Sequence, residues 1–367
     1  MDPASFEQAK AQFLQGVQAF EAGRYAEAEH AFAASVRLLP GRASSLMNLG
    51  ATRIRLGRHD QALEPLRAAI AADPANAEAH GHLASALAEL GQADEALVAA
   101  ATSLRLDPAV GSVWLLQAHL LRERGDVARA ANSYREASAR GADPQLVQYA
   151  LAGLGAEAAP PASPRRYVQQ LFDSYAEGFD EHLVDTLQYR APALLAQGLA
   201  QPRYRHALDR GCGTGLAAPV LRPRCERLDA VDLSPGMVER ARSLGVYDAA
   251  TQGDIAEHLA TLAPQYDLLL AADVLIYIGD LAPLFAGAAR ALRPGGEFCF
   301  TAEAHDGPQP WVLRPSLRYA HAEGYIRMLA GQHGFSVRRT VRHPLRLDQG
   351  HPVEGLFTWL ERPSHAA

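Results

Sequence analysis

The chain has 367 residues, room for two or three domains, with 48% hydrophobic residues and a net charge of −6 spread over both halves. Nucleic-acid binders carry a basic face, so no nucleic-acid partner is expected. No N-terminal stretch reads as a signal peptide and no run of about 18 apolar residues offers a membrane span. Three cysteines without paired spacing suit a reducing cytosol and exclude a zinc cage or disulfide frame, so the protein is expected to be cytoplasmic, with no metal and no membrane contact.

The first half repeats. Gly23, Gly57, Gly91 and Gly125 are 34 residues apart, as are Ala28, Ala62, Ala96 and Ala130, and Pro40, Pro74 and Pro108 keep the same step. A glycine that turns the chain after a first helix, a small residue that lets the second helix approach, and a terminal proline make the tetratricopeptide signature. Four repeats fill about residues 9 to 143, and 145–154 reads as a capping helix. Such an array presents a concave surface, here offering Phe13, Val17, Met47, Ala51, Ser85, His119 and Arg122. It lacks the Lys, Arg and Asn cluster that clamps a terminal carboxylate. Partner or substrate binding and dimerisation both stay open.

Residues 156–164, Ala-Glu-Ala-Ala-Pro-Pro-Ala-Ser-Pro, read as a linker between a repeat domain (1–155) and a second domain (165–367). The second domain opens on its strongest signal at 206–215, His-Ala-Leu-Asp-Arg-Gly-Cys-Gly-Thr-Gly. Asp209 stands at a strand tip, and Gly211, Gly213 and Gly215 let backbone pass close to a ligand. Asp232 ends the next apolar strand, where an acid grips the two hydroxyls of a ribose. The dinucleotide pattern fails at Leu216, and no Gly-Lys-Ser/Thr makes a P-loop. The pattern points to an adenosine-containing cofactor.

Leu-Asp-Arg-Gly-Cys-Gly-Thr-Gly resembles the first motif of class I S-adenosylmethionine-dependent methyltransferases, with Arg210 standing where that family has an apolar residue. The likeness continues through Gln-Gly-Asp-Ile (Asp254), the fourth-strand exit ending in Asp273 and Tyr277, and the Gly295–Gly296 turn. Phe172-Asp-x-x-Ala-x-x-Phe179-Asp resembles the helix that covers the cofactor. As a whole the chain resembles bacterial methyltransferases with tetratricopeptide repeats. The resemblance implies an N-terminal α-solenoid followed by a Rossmann-like domain. Its doubly wound sheet would have seven strands, with the segments Phe335–Val341 and Val353–Leu360 as a closing antiparallel hairpin.

It also implies S-adenosylmethionine as cofactor and S-adenosylhomocysteine as product. Gly211, Cys212, Gly213 and Gly215 would pass under the methionine part, with Cys212 a small filler, and Asp209 would orient the turn and the ammonium. Asp232 would take the ribose, Leu233 would pack on the adenine, and Asp254 and Ile255 would flank it. Phe172, Tyr175 and Phe179 would cover the site, with Asp273 beside it. A helix N-cap is the competing reading for Asp232 and Asp254. Lys10 is the only lysine, so a base must be another residue. His321 is the first candidate, since its charge changes near neutral pH, followed by His305 and Tyr277. Arg318 and Tyr319, expected to begin the helix after strand five, would bind an anionic acceptor. The other C-terminal arginines read as solvated surface. The expected acceptor is a small metabolite, natural product or peptide methylated on O or N. The alternatives are a protein methyltransferase that recruits its substrate through the array, and a scaffold that only senses the cofactor.

Overall fold

A computed structural model of the chain describes residues 3–175, 189–260, 263–348 and 350–364. It divides into two units, Met1–Leu154 and Gly155–Ala367.

The first unit consists of helix pairs: α1 (Pro3–Glu21) with α2 (Tyr25–Leu38), α3 (Ala43–Arg55) with α4 (His59–Ala72), α5 (Ala77–Glu89) with α6 (Ala93–Leu106), and α7 (Gly111–Glu123) with α8 (Val127–Ala139); α9 (Pro144–Gly153) closes the row. Each repeat glycine takes φ between 71° and 78°, just past a first helix. The residue after it donates back to the helix (Arg24 N–H to Ala19 O, 2.9 Å; Gln92 N–H to Leu87 O, 2.9 Å), which caps orphan carbonyls. Ala28, Ala62, Ala96 and Ala130 are completely buried, as close helix approach requires. Of the residues expected on the concave face, Ala51 is instead buried.

The second unit is built on a nine-stranded sheet, two strands more than expected. The strands are β1 (Tyr204–Arg210), β2 (Cys225–Asp232), β3 (Ala249–Gln252), β4 (Tyr266–Ala271), β5 (Leu292–His305), β6 (Trp311–Leu313), β7 (Tyr319–Ala322), β8 (Ser336–Asp348) and β9 (His351–Glu361). The order β3-β2-β1-β4-β5 is parallel, and the centre of β4, Leu268–Ala271, is completely buried, as a sheet covered on both faces demands. The β8–β9 hairpin adds to β5 antiparallel, from Glu297↔Glu361 to Glu303↔Gly355.

The two unexpected strands explain a misplaced helix. Tyr319–Ala322 is strand β7, paired with β5 through Glu303↔Ala320, and with β6. The helix begins only at Glu323. Because β9 already occupies one side of Glu303, β7 must lie on the β4 side, beyond the end of β4 at Ala271. The remaining described helices of six residues or more are α10 (Arg165–Tyr175), α11 (Ala191–Gln197), α12 (Pro235–Ser243), α13 (Ile255–Ala260), α14 (Ala282–Ala291) and α15 (Glu323–Gln332), with a 3₁₀ turn at Leu275–Tyr277.

The proline-rich segment expected as a linker is packed onto this sheet. Pro161 O accepts the N–H groups of Gly279 and Asp280, Ser163 N–H donates to Tyr277 O, and Tyr319 Oη donates to Pro160 O at 2.6 Å. Proline supplies carbonyls without an N–H to satisfy, which suits a strap laid over a turn. Among the described residues no helix is long and apolar enough to cross a membrane.

Candidate active site

At the C-terminal ends of β1, β2 and β4 lies a cavity of about 300 Å³. Its wall contains Asp209, Gly211, Cys212 and Gly213, then Asp232 and Leu233, Asp254 and Ile255, and Asp273, Tyr277, Arg318 and Phe172. The chain thus brings most of the expected residues to one place.

The glycine turn is shaped by need. Gly211 has φ 64°, and a methyl there would lie 1.8 Å from Val274 Cγ2. Its N–H donates to Val231 O at 2.8 Å, tying the turn to β2. Gly213 has φ 54° and gives its N–H to Asp232 Oδ2 at 2.8 Å. Gly215 is not itself in the wall; it turns the chain at φ 104° against Leu244. Cys212 is buried and its thiol is pushed up, chiefly by burial, so it holds its proton.

Asp232 Oδ1 accepts Ser234 N–H at 2.9 Å. Helix α12 is capped by Ser234, whose Oγ accepts Met237 N–H at 3.2 Å and donates to Asp173 Oδ1 at 2.6 Å. The N-cap reading therefore passes from Asp232 to Ser234. Asp254 does cap: Oδ1 accepts Glu257 N–H at 3.1 Å at the start of α13 and Arg165 Nε lies 3.4 Å from Oδ2, yet the residue also stands in the cavity wall, so the cap does not displace a ligand role. Burial raises the Asp232 carboxyl, opposed by its backbone N–H bonds. Asp209 is 2% exposed and is pushed up to about 7, chiefly by burial, while the Tyr247 hydroxyl bonded to it at 2.6 Å acts the other way.

The opposite wall is ordered by charge. Asp273 sits at φ 56°, with its N–H on Thr301 Oγ1 at 2.7 Å and both carboxylate oxygens on Arg346 Nη1, at 2.6 and 2.7 Å. Arg346 also binds Glu303, which Arg314 Nη1 meets at 2.9 Å. Phe172 meets Tyr277 edge to face at 5.6 Å. Arg318 pairs with Asp348 at 3.1 Å. The Tyr277 hydroxyl is raised by burial and remains a proton donor.

Three expectations move. His321 is completely buried outside the wall, its Nε2 2.9 Å from Ile278 O and 3.1 Å from Gly279 O. Between two acceptors that nitrogen carries the proton, and burial lowers the group to about 4, so it faces no acceptor as a base. His305, whose Nε2 is also buried, lies outside the wall as well. Tyr319 is completely buried, its hydroxyl bonded to the strap rather than offered to a ligand. Phe179 and the side chain of Tyr175 lie outside the described residues. Among the described residues, no group of three or more His, Cys, Asp or Glu side chains is placed to hold a metal ion.

Sequence reasoning missed Tyr189, Ser163 and Arg346 in the wall and Tyr247 behind it. Arg346 is 2% exposed although the arginine-rich C-terminal stretch reads as solvated. Nothing in the sequence reading marked it, because the expected strand ends at Val341 whereas β8 runs on to Asp348.

A family model of the methyltransferase domain matches residues 208–300, and a tetratricopeptide repeat model matches residues 53–120. The biotin biosynthesis bifunctional protein BioCD of Bordetella avium is 32% identical over 156 residues, covering 41% of this chain and 33% of that protein. A malonyl-[acyl-carrier protein] O-methyltransferase of Dechloromonas aromatica is 33% identical over 179 residues (46% and 65%). Nodulation protein S of Rhizobium tropici is 29% identical over 126 residues (33% and 53%). The chain thus spans about a third to two thirds of the length of these relatives.

Proposed function

We propose that this chain, whose second unit is a class I S-adenosylmethionine-dependent methyltransferase domain behind a tetratricopeptide array, methylates an O or N atom of a small metabolite, natural product or peptide. The observation that carries this is the bare backbone at Gly211 and Gly213 beside Asp232. A side chain at Gly211 has no room. Asp232 Oδ1 accepts the Ser234 N–H and Oδ2 the Gly213 N–H, and a carboxylate with about four lone-pair sites keeps acceptor capacity for two hydroxyls. These residues fit the cofactor. Asp232 would hold the ribose, Leu233, Asp254 and Ile255 the adenine, and Asp209 with the glycine turn the methionine end.

When bound, S-adenosylmethionine supplies a methyl group that its sulfonium already makes electrophilic. The task left to the protein is positioning, which lowers a barrier by several kcal/mol when donor and acceptor are held aligned. Phe172 and Tyr277, in edge-to-face contact, form one side of the wall. Arg318 presents a guanidinium in the wall, paired with Asp348, whose side chain is 42% exposed; an anionic acceptor can exchange with so hydrated a partner. The described wall contains no histidine or lysine. Any proton an acceptor must lose can therefore go to one of the wall's aspartates, Asp209 or Asp273, and a carboxylate acceptor needs no such help. The name of the Dechloromonas relative, which specifies an O-methyl transfer on a carrier-borne malonyl group, supports the same reading. The array offers a surface to a protein partner or a second copy.

Titration calorimetry tests the proposal. The wild-type chain binds S-adenosylmethionine, Asp232→Ala loses detectable binding, and S-adenosylhomocysteine accumulates when carboxylate acceptors are added. An unliganded wild type at millimolar cofactor overturns the reading.

A further inference from the structure

Tyr247 lies outside every motif of the glycine turn, yet it braces that turn at both ends. Its Oη donates to Asp209 Oδ2 at 2.6 Å, and its ring edge (Cε2) stands 3.3 Å from where a methyl on Gly215 would be. The ring packs with Cys212, Ala230, Val238, Ala241 and Ala250. The residue after it is anchored to β2: Asp248 N–H donates to Leu228 O at 2.8 Å, and Asp248 Oδ2 accepts Leu228 N–H at 2.7 Å. The backbone that carries Tyr247 is thus tied to β2, and its ring is packed in place under the turn.

We infer that Tyr247 is a positioning residue of the nucleoside pocket, whose hydroxyl holds Asp209 as a carboxylate and couples entry of a cationic ligand to loss of a proton from that acid. The inference rests on the cavity being the S-adenosylmethionine site. The physical case is a competition. Burial and the neighbouring Asp232 carboxylate favour a protonated Asp209; the Tyr247 hydroxyl and Arg210 favour the ionised form. Arg210 acts weakly as a partner, because its guanidinium turns to the other side of β1 and lies 4.4 Å over the Phe298 ring. The other titratable groups beside Asp209, Cys212 and Tyr189, are both raised by burial and stay neutral. Tyr247 itself is raised, so it only donates. Among the described residues, the strong side-chain hydrogen bond to the carboxylate thus comes from Tyr247. S-adenosylmethionine carries an ammonium and a sulfonium, and a carboxylate receives such charge where a neutral acid does not.

The test is the affinity of the full chain for S-adenosylmethionine from pH 5.5 to 9, in wild type, Tyr247→Phe and Asp209→Asn. Phenylalanine keeps the ring and removes only the hydroxyl. With the carboxylate less favoured, Tyr247→Phe binds about tenfold more weakly below pH 7, the worth of one hydrogen bond to a charged group. The deficit shrinks toward none as pH rises past 8, because Asp209 is then ionised in both proteins. The ligand's own amine titrates equally in both and cancels in the ratio. Asp209→Asn removes the pH dependence of the comparison. A deficit equal at every pH, or no deficit, overturns the role of Tyr247. Failure of wild type to bind at any pH overturns instead the reading of the cavity on which it rests.

Discussion

Asp273 is held at both carboxylate oxygens by Arg346, at 2.6 and 2.7 Å, across 73 residues of sequence. Arg346 is the hub, since it also reaches the 2%-exposed Glu303. Breaking a buried ion pair by removing one partner leaves uncompensated charge and costs about 3–5 kcal/mol. Arg346→Met is therefore expected to lose about that much in denaturant unfolding, and adding Asp273→Asn to it should recover part, because asparagine tolerates the left-handed backbone at 273 and carries no charge. A loss under about 1 kcal/mol would mean that the hub is dispensable.

Glycines at positive φ are not equivalent, and two of them separate backbone strain from steric conflict. At Gly91, φ is 72° and a methyl in place of the Cα hydrogen would meet nothing within 4 Å among the described residues. At Gly211, φ is 64° and Val274 Cγ2 would be 1.8 Å away. Gly91→Ala should cost only the left-handed penalty of about 1–2 kcal/mol. Gly211→Ala carries the same penalty and must also displace Val274, so it should lose cofactor binding as well. Thermal melts with and without S-adenosylmethionine distinguish them: a Gly211→Ala protein that binds like wild type would refute the close-approach account.

What could be read ahead of the structure was what repeats or what a turn dictates. The 34-residue step of Gly, Ala and Pro fixes helix pairs because each residue class has a local task. Asp209, Gly211, Gly213 and Asp232 are local too, each at the end of a strand. The β6–β7 pair was hidden because Tyr319 and His321 look equally at home on a helix; only pairing with β5 beyond the end of β4 makes them a strand. Arg346, Tyr247 and the Pro160–Ser163 strap were hidden for the same reason: their partners, Asp273, Asp209 and Tyr277, are distant in sequence.

Arg210 departs from the apolar residue expected after Asp209, and the departure has a measurable consequence. It is completely buried, and among the described residues none of its three guanidinium nitrogens has a hydrogen-bond partner. Burial pulls it down to about 9, which leaves it charged at neutral pH. Each unmet buried donor costs about 1–3 kcal/mol, whereas a desolvated cation–π contact such as that with Phe298 returns about 2 kcal/mol. The cost wins. Arg210→Leu should raise the melting temperature of the second unit, by about 1–3 kcal/mol in stability. It should also weaken S-adenosylmethionine binding near neutral pH, since Arg210 favours the ionised form of Asp209. Lower stability in Arg210→Leu would show that the guanidinium is better satisfied than its surroundings indicate.

His321 makes the stability of the second unit depend on pH. In the folded chain it is lowered from 6.5 to about 4, because burial penalises the imidazolium more than the carbonyls of Ile278 and Gly279 favour it. The unfolded chain therefore binds the extra proton first. Between pH 6.5 and 4 the unfolded state holds more protons, so stability rises with pH through that window and is fully present above it. With each pKa unit worth about 1.36 kcal/mol, acidification across the window costs up to about 3 kcal/mol from this residue. His321→Gln keeps a side-chain N–H for the carbonyls and cannot titrate. Its stability at pH 7.5 should fall modestly, from lost stacking on Tyr325. Its decline between pH 6.5 and 4.5 should be shallower than that of wild type. Urea unfolding at four or five pH values measures both slopes, and parallel slopes would place the acid sensitivity elsewhere. Methyl transfer by His321→Gln at pH 7.5 should persist, because the ring never faces the cavity.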